Sequence, residues 1–323
     1  MAETHYSRLT FDALTGWADD DHQAALDVFL GSADAIDGAV WRAVAQAAAD
    51  ADNARSFFET YFEPVEISDG QPALLTGYYE PECKGALERS DAYPVPAYGV
   101  PPDFRADEPY LTRRQIEEEG RLVGQGLEVA WFADPVDLFF MQVQGSGRLR
   151  LPDGSMVRLG FAAKNGRAYQ SVGQVLIGRG ALQPGAVSPD RIRDWLLENA
   201  DEAAEVLWQN ESYVFFKRID DVPAETGPLG AMGRPVTALR SIAVDPAYVP
   251  LGALVWLEKP GDDPMARLMV AQDVGSAILG AQRADIFCGT GDDAGRKAGA
   301  INQTGRLATL LPRAMATALC GPA

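Results

Sequence analysis

The stretch VAQDVGSAILGAQRADIFCGTG, residues 270–291, contains the features that decide the fold and the site. Its two aspartates, Asp273 and Asp285, each adjoin a short apolar run, and glycines lie near both. Acids in such a setting are typical of strand ends beside tight turns. A third acid, Asp245 in SIAVDPAYVPLG, follows an apolar run and precedes a proline turn. We therefore predict that these three carboxylates line one cleft.

The setting of Asp285 differs from that of an ordinary turn aspartate. An isolated Asp beside Gly or Pro is most often a turn residue, because its side chain bonds the nearby backbone, and Asp245 before Pro246 fits that description. Asp285 instead precedes the apolar residues 286–288, where partial burial would raise the pKa of its carboxyl. A carboxylic acid that is protonated near neutral pH is what a general acid needs. The sequence therefore predicts Asp285 as the catalytic residue.

The bulk composition sets the broad class. The chain has 323 residues, of which 47% are hydrophobic, and this length suits roughly two domains of about 150 residues each. Its 46 acidic residues outnumber 28 basic ones, which gives a net charge of −18. Nucleic-acid binding needs a basic surface, so we expect no nucleic-acid partner. No apolar run approaches the roughly 18 residues of a transmembrane helix, so we expect no transmembrane segment.

Histidine and cysteine usage restricts the chemistry. The two histidines, His5 and His22, lie in the first 22 residues, so neither a Ser-His-Asp or Cys-His nucleophile nor a zinc site is expected. The three cysteines, Cys83, Cys288 and Cys320, match no metal-binding or CxxC spacing. We expect no metal and no cofactor, and we assign no role to Cys288. Catalysis must then rest on Asp, Glu, Tyr, Lys, Ser or Thr.

Hydrophobic periodicity predicts the arrangement of elements along the chain. Helical patterns cover about 20–62 and 171–200, and short strand patterns cover about 73–161 and 212–312. The pair Ser188-Pro189 predicts a helix start. The chain is therefore expected to be mainly β with peripheral helices, in two β-rich domains.

Two polar motifs are candidates for ligand contact. Thr76 and Tyr78 in TGYY would place a hydroxyl and an aromatic ring at a strand end, although core tyrosines at a strand end would have the same pattern. Gln142 and Gln144 alternate with apolar residues before Ser146, so both amides are predicted on one side of a strand. An exposed strand face is the alternative. A row of amides would suit sugar hydroxyls and acetamido groups.

Two further motifs are rejected as functional signals. Residues 289–294, GTGDDA, imitate a dinucleotide-binding loop, but two aspartates stand where pyrophosphate would lie. Residues 145–147, GSG, are too short for a nucleophile elbow, and no suitable histidine is available.

The motifs together resemble a known family. LLTGYYEP, FFMQVQGSGRLRLPDG, KNGRAYQSVGQVLIGRG and AQDVGSAILGAQRADIFCGTG are similar to the lytic murein transglycosylase A (MltA) family, and the last, with Asp245, resembles its three-aspartate (3D) domain. The resemblance covers about residues 73–312. It implies a double-psi β-barrel catalytic domain from 1–80 with 214–323, which also carries the N-terminal helices. A second β-barrel is inserted at 81–213, and glycan would bind in the groove between the two domains.

The resemblance also implies roles for individual residues. The family's catalytic aspartate falls on Asp285 in RADIF. It would protonate the leaving oxygen of the β-1,4 bond between N-acetylmuramic acid and N-acetylglucosamine. As a carboxylate it would then take the proton of the muramoyl C6 hydroxyl, which attacks C1 to give a 1,6-anhydro end. The expected substrate-binding residues are Thr76, Tyr78, Gln142, Gln144, Ser146, Asp245 and Asp273.

Partners and location follow from the same resemblance. We expect peptidoglycan glycan strands as the substrate, a monomer, and a periplasmic protein that can associate with the outer membrane. The N-terminal stretch MAETHYSRL has no basic patch before an apolar core, so it predicts no signal peptide. The lipoprotein members of the family lead one to expect a lipid-anchored N-terminal cysteine, and the sequence does not show one.

Two other functions are kept as alternatives. Related double-psi barrels include inverting glycan hydrolases, which would need a second carboxylate about 6.5–9.5 Å from the acid, and Asp273 or Asp245 could supply it. Expansin-like barrels bind glycans without cleaving them. Anhydro ends, reducing ends or no cleavage would distinguish the three.

Overall fold

The computed structural model describes residues 4–185, 187–223 and 225–321. Residues 1–3, 224 and 322–323 of the predicted catalytic domain and residue 186 of the predicted insert lie outside this description. Contacts divide the chain into two compact units. The first comprises Met1–Tyr78, Leu229–Gly289 and Arg296–Ala323, apart from the residues just named, and the second comprises Tyr79–Pro228 and Thr290–Gly295.

The helices of the described residues are mostly short and flank longer β regions. They are α1 (His22–Leu30), α2 (Ala39–Ala48), α3 (Ala54–Tyr61), α4 (Arg113–Glu117), α5 (Pro135–Gln144), α6 (Val172–Gly178), α7 (Pro189–Glu198), α8 (Ala200–Leu207), α9 (Asp292–Gly299) and α10 (Arg313–Cys320). No helix in this part of the chain has the length and apolar character that a membrane span requires.

The strands carry most of the ordered backbone outside the helices. They are β1 (His5–Arg8), β2 (Phe62–Ser68), β3 (Leu74–Glu80), β4 (Glu82–Ala86), β5 (Val95–Tyr98), β6 (Glu128–Phe132), β7 (Gly147–Arg150), β8 (Met156–Lys164), β9 (Val214–Ile219), β10 (Ser241–Val244), β11 (Leu254–Lys259), β12 (Met265–Asp273), β13 (Arg283–Thr290), β14 (Asn302–Gln303) and β15 (Arg306–Pro312).

Side-chain caps explain where several helices begin. Asn53 accepts a hydrogen bond from a backbone N–H of the first turn of α3, and Ser188 does the same for α7, which has Pro189 in its first turn. An acceptor at this position satisfies an otherwise unpaired donor of the first turn. The predicted start at Ser188-Pro189 is confirmed, as are the predicted N-terminal helices.

The first sheet has nine strands in the order β1-β2-β15-β11-β12-β10-β13-β3-β14. Its pairing is mixed, because β10 runs parallel to β12 and antiparallel to β13. Several apolar side chains on the central strands are almost completely buried, with at most 1% of their surface exposed. They include Leu254, Trp256, Val270, Ile286 and Leu310.

The second sheet has six strands in the order β5-β6-β4-β7-β8-β9. One core cluster of the second unit joins its strands to α5 and includes Phe132, Leu138, Met141, Leu149 and Phe216. The fold is therefore mainly β with helices, as predicted.

Helix α5 corrects the prediction of continuous β structure over 127–161. Asp134 caps this helix and Pro135 occupies its first turn, a start signal that outweighs the alternation of polar and apolar residues further on. In a helix, side chains two positions apart point in directions about 200° apart. The prediction that Gln142 and Gln144 face one side of a strand is therefore wrong.

Candidate active site

Strand register brings two of the three aspartates into one row of the first unit. In β10, Ala243 pairs with Asp285 of β13 on one side and with Asp273 of β12 on the other. The register between β10 and β12 shifts directly after Ile242, so that Gln272 is bulged out of the pairing. Bulges re-aim side chains and are common beside active sites. Neighbouring strands lie about 4.8 Å apart, so the Cα atoms of the two aspartates are roughly 9–10 Å apart.

The Asp285 carboxyl has few polar partners for a buried group. The Thr76 hydroxyl donates to Oδ1 at 2.5 Å. Oδ2 accepts no hydrogen bond from the described residues, and Asp285 as a whole is half-buried. Burial raises the pKa of Asp285, the hydrogen bond from Thr76 and the charge of Arg283 lower it, and the charge of Asp273 raises it further. The net effect is a raised pKa, which is the property predicted for a general acid.

Arg283 is a site residue that the sequence analysis missed. It lies two positions before Asp285 in β13, and its Nη2 donates to the Thr76 hydroxyl at 2.9 Å. Its Nη1 donates to the carbonyls of Leu74 and Ala284 at 3.2 and 2.7 Å. The alternation of a strand places residues two apart on the same face. The pattern Arg-Ala-Asp could therefore have indicated that the two charges are neighbours.

Asp273 differs from Asp285 in accepting three hydrogen bonds rather than one. Its Oδ1 accepts the backbone N–H groups of Ala231 and Val274 at 3.0 and 2.9 Å, and its Oδ2 accepts the Tyr78 hydroxyl at 2.9 Å. Burial raises the pKa of Asp273 and these three bonds oppose the rise. Burial and the charge of Asp273 raise the pKa of Tyr78 well above 10.0, which keeps its phenol protonated as a donor. Asp273 is therefore fixed in place by its surroundings.

A glycine between Thr76 and Tyr78 allows β3 to approach another backbone closely. A Cβ atom at Gly77 would lie 2.7 Å from the Cα atom of Ala298, and real Cβ atoms do not come that close. The ring of Tyr78 also packs on Phe287, with centroids 5.2 Å apart. The predicted TGYY motif is thus held on both sides, and the hydroxyls of Thr76 and Tyr78 reach the two aspartates.

Asp245 is the acid whose surroundings resemble those of a turn residue. Its Oδ1 accepts the N–H of Ala247 at 3.0 Å, and its Oδ2 accepts the N–H of Gly280 at 2.8 Å. Its exposed fraction is only 8%. Asp245 therefore anchors the loop after β12, as the turn interpretation of Asp245-Pro246 suggests. Its contact with substrate stays a prediction.

The polar residues on and after α5 belong to the second unit. Gln142 is buried and donates to the carbonyl of Val214 at 3.0 Å. Gln144 is half-buried, and its Oε1 accepts the N–H of Tyr79 at 3.1 Å, so its amide NH₂ group is not used in that bond. Ser146 lies half-buried in the connection to β7. Their roles in ligand binding stay predictions.

Neither buried cysteine has the character of a reactive thiol. Burial raises the pKa of both Cys83 and Cys288 to about 12, whereas reactive cysteines have lowered values. Across the described residues, no group of three or more His, Cys, Asp or Glu side chains is arranged to hold a metal ion.

Comparison with known families first defines the class of protein. Residues 74–217 match the MltA specific insert domain, and residues 240–311 match the 3D domain. The chain is thus a 3D-domain protein that carries an MltA-type insert.

Individual relatives then identify the family. The membrane-bound lytic murein transglycosylase A of Vibrio cholerae is 34% identical over 246 residues, which cover 72% of this chain and 64% of that protein. The protein of the same name from Escherichia coli is 33% identical over 276 residues, which cover 81% of this chain and 72% of the relative. The chain belongs to the lytic murein transglycosylase A family, as its motifs predicted.

Solved structures agree with this assignment. A membrane-bound lytic murein transglycosylase from Agrobacterium tumefaciens superposes with a TM-score of 0.87 at 34% identity, covering 97% of this chain and 99% of that one. MltA from Neisseria gonorrhoeae gives 0.82 at 33% identity, with 96% and 93% covered. E. coli MltA with bound chitohexaose gives 0.71 at 32% identity, with 84% and 82% covered.

Proposed function

We propose that this protein is a peptidoglycan lytic transglycosylase. It cleaves the β-1,4 bond between N-acetylmuramic acid and N-acetylglucosamine without water and leaves a 1,6-anhydromuramoyl end. The observation that carries the proposal is the Asp285 carboxyl. It is buried enough for its pKa to be raised, its Oδ1 is held by Thr76, and its Oδ2 has no partner among the described residues. A single acid of this kind in a family of lytic murein transglycosylases supports the activity.

Asp285 acts first as an acid and then as a base. Its protonated carboxyl gives the proton to the glycosidic oxygen as the C1–O bond breaks, and charge develops on the sugar ring and on the carboxylate. The carboxylate then takes the proton of the muramoyl C6 hydroxyl, whose oxygen attacks C1 and closes the anhydro ring. The proton balance returns Asp285 to its starting state. Because the nucleophile is part of the substrate, no second carboxylate is needed to activate water.

The remaining site residues have supporting roles in this proposal. Thr76 donates to Asp285 and steadies its charged form, and Tyr78 and Asp273 form a fixed polar pair beside it. Gln144 offers its free NH₂ group, and Ser146 its hydroxyl, to sugar oxygens. The geometry gives weaker support to Gln142 and Asp245, because each is buried and already hydrogen-bonded.

The substrate class has support from a relative. E. coli MltA has been solved with bound chitohexaose, an oligomer of β-1,4-linked N-acetylglucosamine. That ligand shares the linkage and the acetamido groups of the glycan strands of peptidoglycan. We extend this preference to the present chain, and we keep the groove between a catalytic domain (1–80 with 214–323) and an insert (81–213) as the predicted glycan path.

A digest of purified sacculi tests the function. Wild type and Asp285→Asn would be incubated with sacculi at equal concentrations, and the soluble products would be identified by mass spectrometry. We expect anhydro ends from the wild type and no soluble product above background from the variant, which should still sediment with the sacculi. Reducing ends in place of anhydro ends would contradict the proposal.

An inverting hydrolase is the second candidate, because of the row formed by Asp273 and Asp285. Their spacing of two strands allows the carboxyl separation of about 6.5–9.5 Å that an inverting pair uses. The three donors on Asp273 argue against it, since they occupy the oxygens that a base would use on water. A digest in H₂¹⁸O separates the two, because only the hydrolase incorporates the label. A non-catalytic, expansin-like protein would release nothing.

The finer fold and the location are proposed on family grounds. The match of residues 240–311 to the 3D domain and the mixed pairing of β10 support a double-psi β-barrel, and the match of 74–217 supports an MltA-type insert barrel. The relatives are named as membrane-bound, which supports a periplasmic protein associated with the outer membrane. A crystal structure and cell fractionation would test these two expectations.

A further inference from the structure

We infer that Arg283 is a positioning residue that fixes the direction of the Thr76 hydroxyl, so that the transferable proton of Asp285 is held on Oδ2. The inference rests on the proposed function, because it assumes that Asp285 is the acid. It adds a residue to the site and assigns the proton to one of the two carboxyl oxygens. It depends only on contacts within the first unit.

The hydrogen bonds of the three groups favour one arrangement. A guanidinium has donors and no acceptor, and a threonine hydroxyl has one hydrogen and two lone pairs. Arg283 Nη2 lies 2.9 Å from Thr76 Oγ1, so Oγ1 accepts this bond. The single hydroxyl hydrogen is then free to point at Asp285 Oδ1, which is 2.5 Å away. Oδ1 is the only acceptor of this hydrogen among the described residues, so in this arrangement Oδ1 accepts.

Arg283 can impose this direction because it is itself held by the backbone. Its Nη1 donates to the carbonyl of Ala284 at 2.7 Å and to that of Leu74 at 3.2 Å. These acceptors lie on β13 and β3, the two strands that carry Asp285 and Thr76. The guanidinium is thus fixed to both strands, and within the described residues it forms no ion pair with Asp285. Its effect on the carboxyl reaches it through the Thr76 hydroxyl, with an added contribution from its charge.

The assignment of the proton follows. A protonated carboxyl has one oxygen that donates and one that accepts. Oδ1 accepts from Thr76, so the proton is on Oδ2, the oxygen of this half-buried residue that has no partner among the described residues. After transfer, the bond from Thr76 becomes a charge-assisted hydrogen bond, which is roughly twice as strong as a neutral one. The chain of hydrogen bonds from Arg283 through Thr76 to Asp285, here called the relay, therefore favours the carboxylate form and makes Asp285 a stronger acid.

The pH dependence of turnover tests the relay. A general acid is active only when protonated, so kcat falls as pH rises through its pKa. Arg283→Met removes the donor that orients Thr76 and so disfavours the carboxylate. We expect the alkaline limb of the kcat profile to move to higher pH and the plateau to fall about tenfold, as for a weaker acid. Thr76→Val should act in the same direction, whereas Thr76→Ser, which keeps the hydroxyl, should leave the limb in place.

A matched control separates positioning from general damage. Arg267 is a half-buried arginine of the same unit that also donates to a backbone carbonyl, that of Leu239. Arg267→Met should leave unchanged both the pH of the alkaline limb and the plateau value of kcat. Thermal unfolding of each variant verifies that it folds. A lower plateau with an unmoved limb in Arg283→Met would mean a merely structural role and would overturn the inference.

The double variant Thr76→Val/Arg283→Met tests whether Arg283 acts through Thr76. We expect the alkaline limb of its kcat profile to lie at a pH no higher than that of the more strongly shifted single variant. Fully additive shifts would show that Arg283 acts by its charge alone, which overturns the relay. The proposed function can fail separately, because the products decide it. Anhydro ends together with an alkaline limb that does not move in the Arg283→Met variant would refute only the role of Arg283. Reducing ends together with a limb that does move would refute only the transglycosylase activity.

Discussion

Two carboxyls, the half-buried Asp285 of the first unit and the fully buried Glu80 of the second, have opposite surroundings. Glu80 is completely buried, and each of its oxygens accepts a bond from a guanidinium Nε, from Arg148 and Arg158, at 2.8 Å. The Thr290 hydroxyl adds a third bond at 2.8 Å. Asp285 has one hydroxyl as its partner, and within the described residues no cation lies within ion-pair distance of it.

The difference indicates what each carboxyl can do. A buried charge is costly unless it is paired. Two guanidinium groups pair with Glu80, and these contacts hold together the backbone segments that supply the arginines. Asp285 lacks such pairing, so burial favours its neutral form and raises its pKa. Complete pairing is thus typical of a structural acid, and sparse pairing is typical of a reactive one.

The comparison is tested most strongly by removing the ionisable carboxyl of Asp285, the proposed acid. Asp285→Asn should lower kcat on sacculi by about 10³-fold or more, because an amide can neither give nor take the proton. Product release followed by mass spectrometry measures the loss. Asp153→Asn, an exposed turn aspartate bonded to Ser155, is the control and should retain full activity. Retention of more than a tenth of the activity in Asp285→Asn would mean that another group is the acid.

The second test removes the charge of the structural acid. Glu80→Gln leaves two arginines without their counter-charge, and breaking a buried ion pair in this way costs about 3–5 kcal/mol of unfolding free energy. Chemical denaturation measures it. The neighbouring pair of Glu82 and Arg150 is partly exposed, so Glu82→Gln should cost no more than about 1 kcal/mol. Equal costs for the two variants would contradict the distinction drawn between buried paired and exposed paired acids.

Sequence reasoning selected Asp285 as the candidate acid but missed the residues that contact it and set its surroundings. Asp285 could be predicted because it adjoins an apolar run, and its family could be recognised from motifs in both halves of the chain. Arg283 was missed because its effect passes through Thr76, about two hundred positions away in the chain. The shift in register at Gln272 was also invisible, since a bulge is decided by the partner strand as much as by its own sequence.

The error over α5 has a different cause. Short apolar runs with alternating polar residues are ambiguous between a strand and a buried helix, and the glutamines Gln142 and Gln144 were placed on a strand on that basis. The local signal that decides the matter is Asp134-Pro135, a cap followed by a proline in the first turn. The mainly β fold with helices was predictable because it depends on many segments, and a single misread segment does not alter it.

The third test concerns the strand that carries Thr76. Gly77→Ala would bring a Cβ atom within 2.7 Å of the Ala298 Cα atom, so backbone must move, at a cost of about 1–3 kcal/mol in unfolding free energy. Turnover should fall as well, because Thr76 would shift away from Asp285. Gly178→Ala is the control: it lies at the end of α6 with no atom within 4 Å of the added Cβ, so stability should be unchanged or slightly higher. An unaffected Gly77→Ala protein would mean that the approach of the two backbones is looser than 2.7 Å.

The smallest and most specific effect is a pH-dependent difference in stability. Below the ordinary Asp pKa of 3.8, both the folded and the unfolded wild type hold the proton on Asp285, so its burial has no ionisation cost. As pH rises, the unfolded chain releases this proton first, because burial raises the pKa of Asp285 in the folded state. The wild type therefore loses stability relative to Asp285→Asn until the pH passes the raised pKa.

Thermal unfolding of both proteins between pH 4 and pH 8, about the range in which a raised carboxyl pKa falls, measures this difference. Asp273 and Asp137, whose pKa values are also raised by burial, are present in both proteins and largely cancel. We expect the midpoint of Asp285→Asn to rise relative to the wild type with increasing pH. A difference that is flat with pH would mean that Asp285 titrates like an exposed aspartate, and the contrast with Glu80 would then have no electrostatic basis.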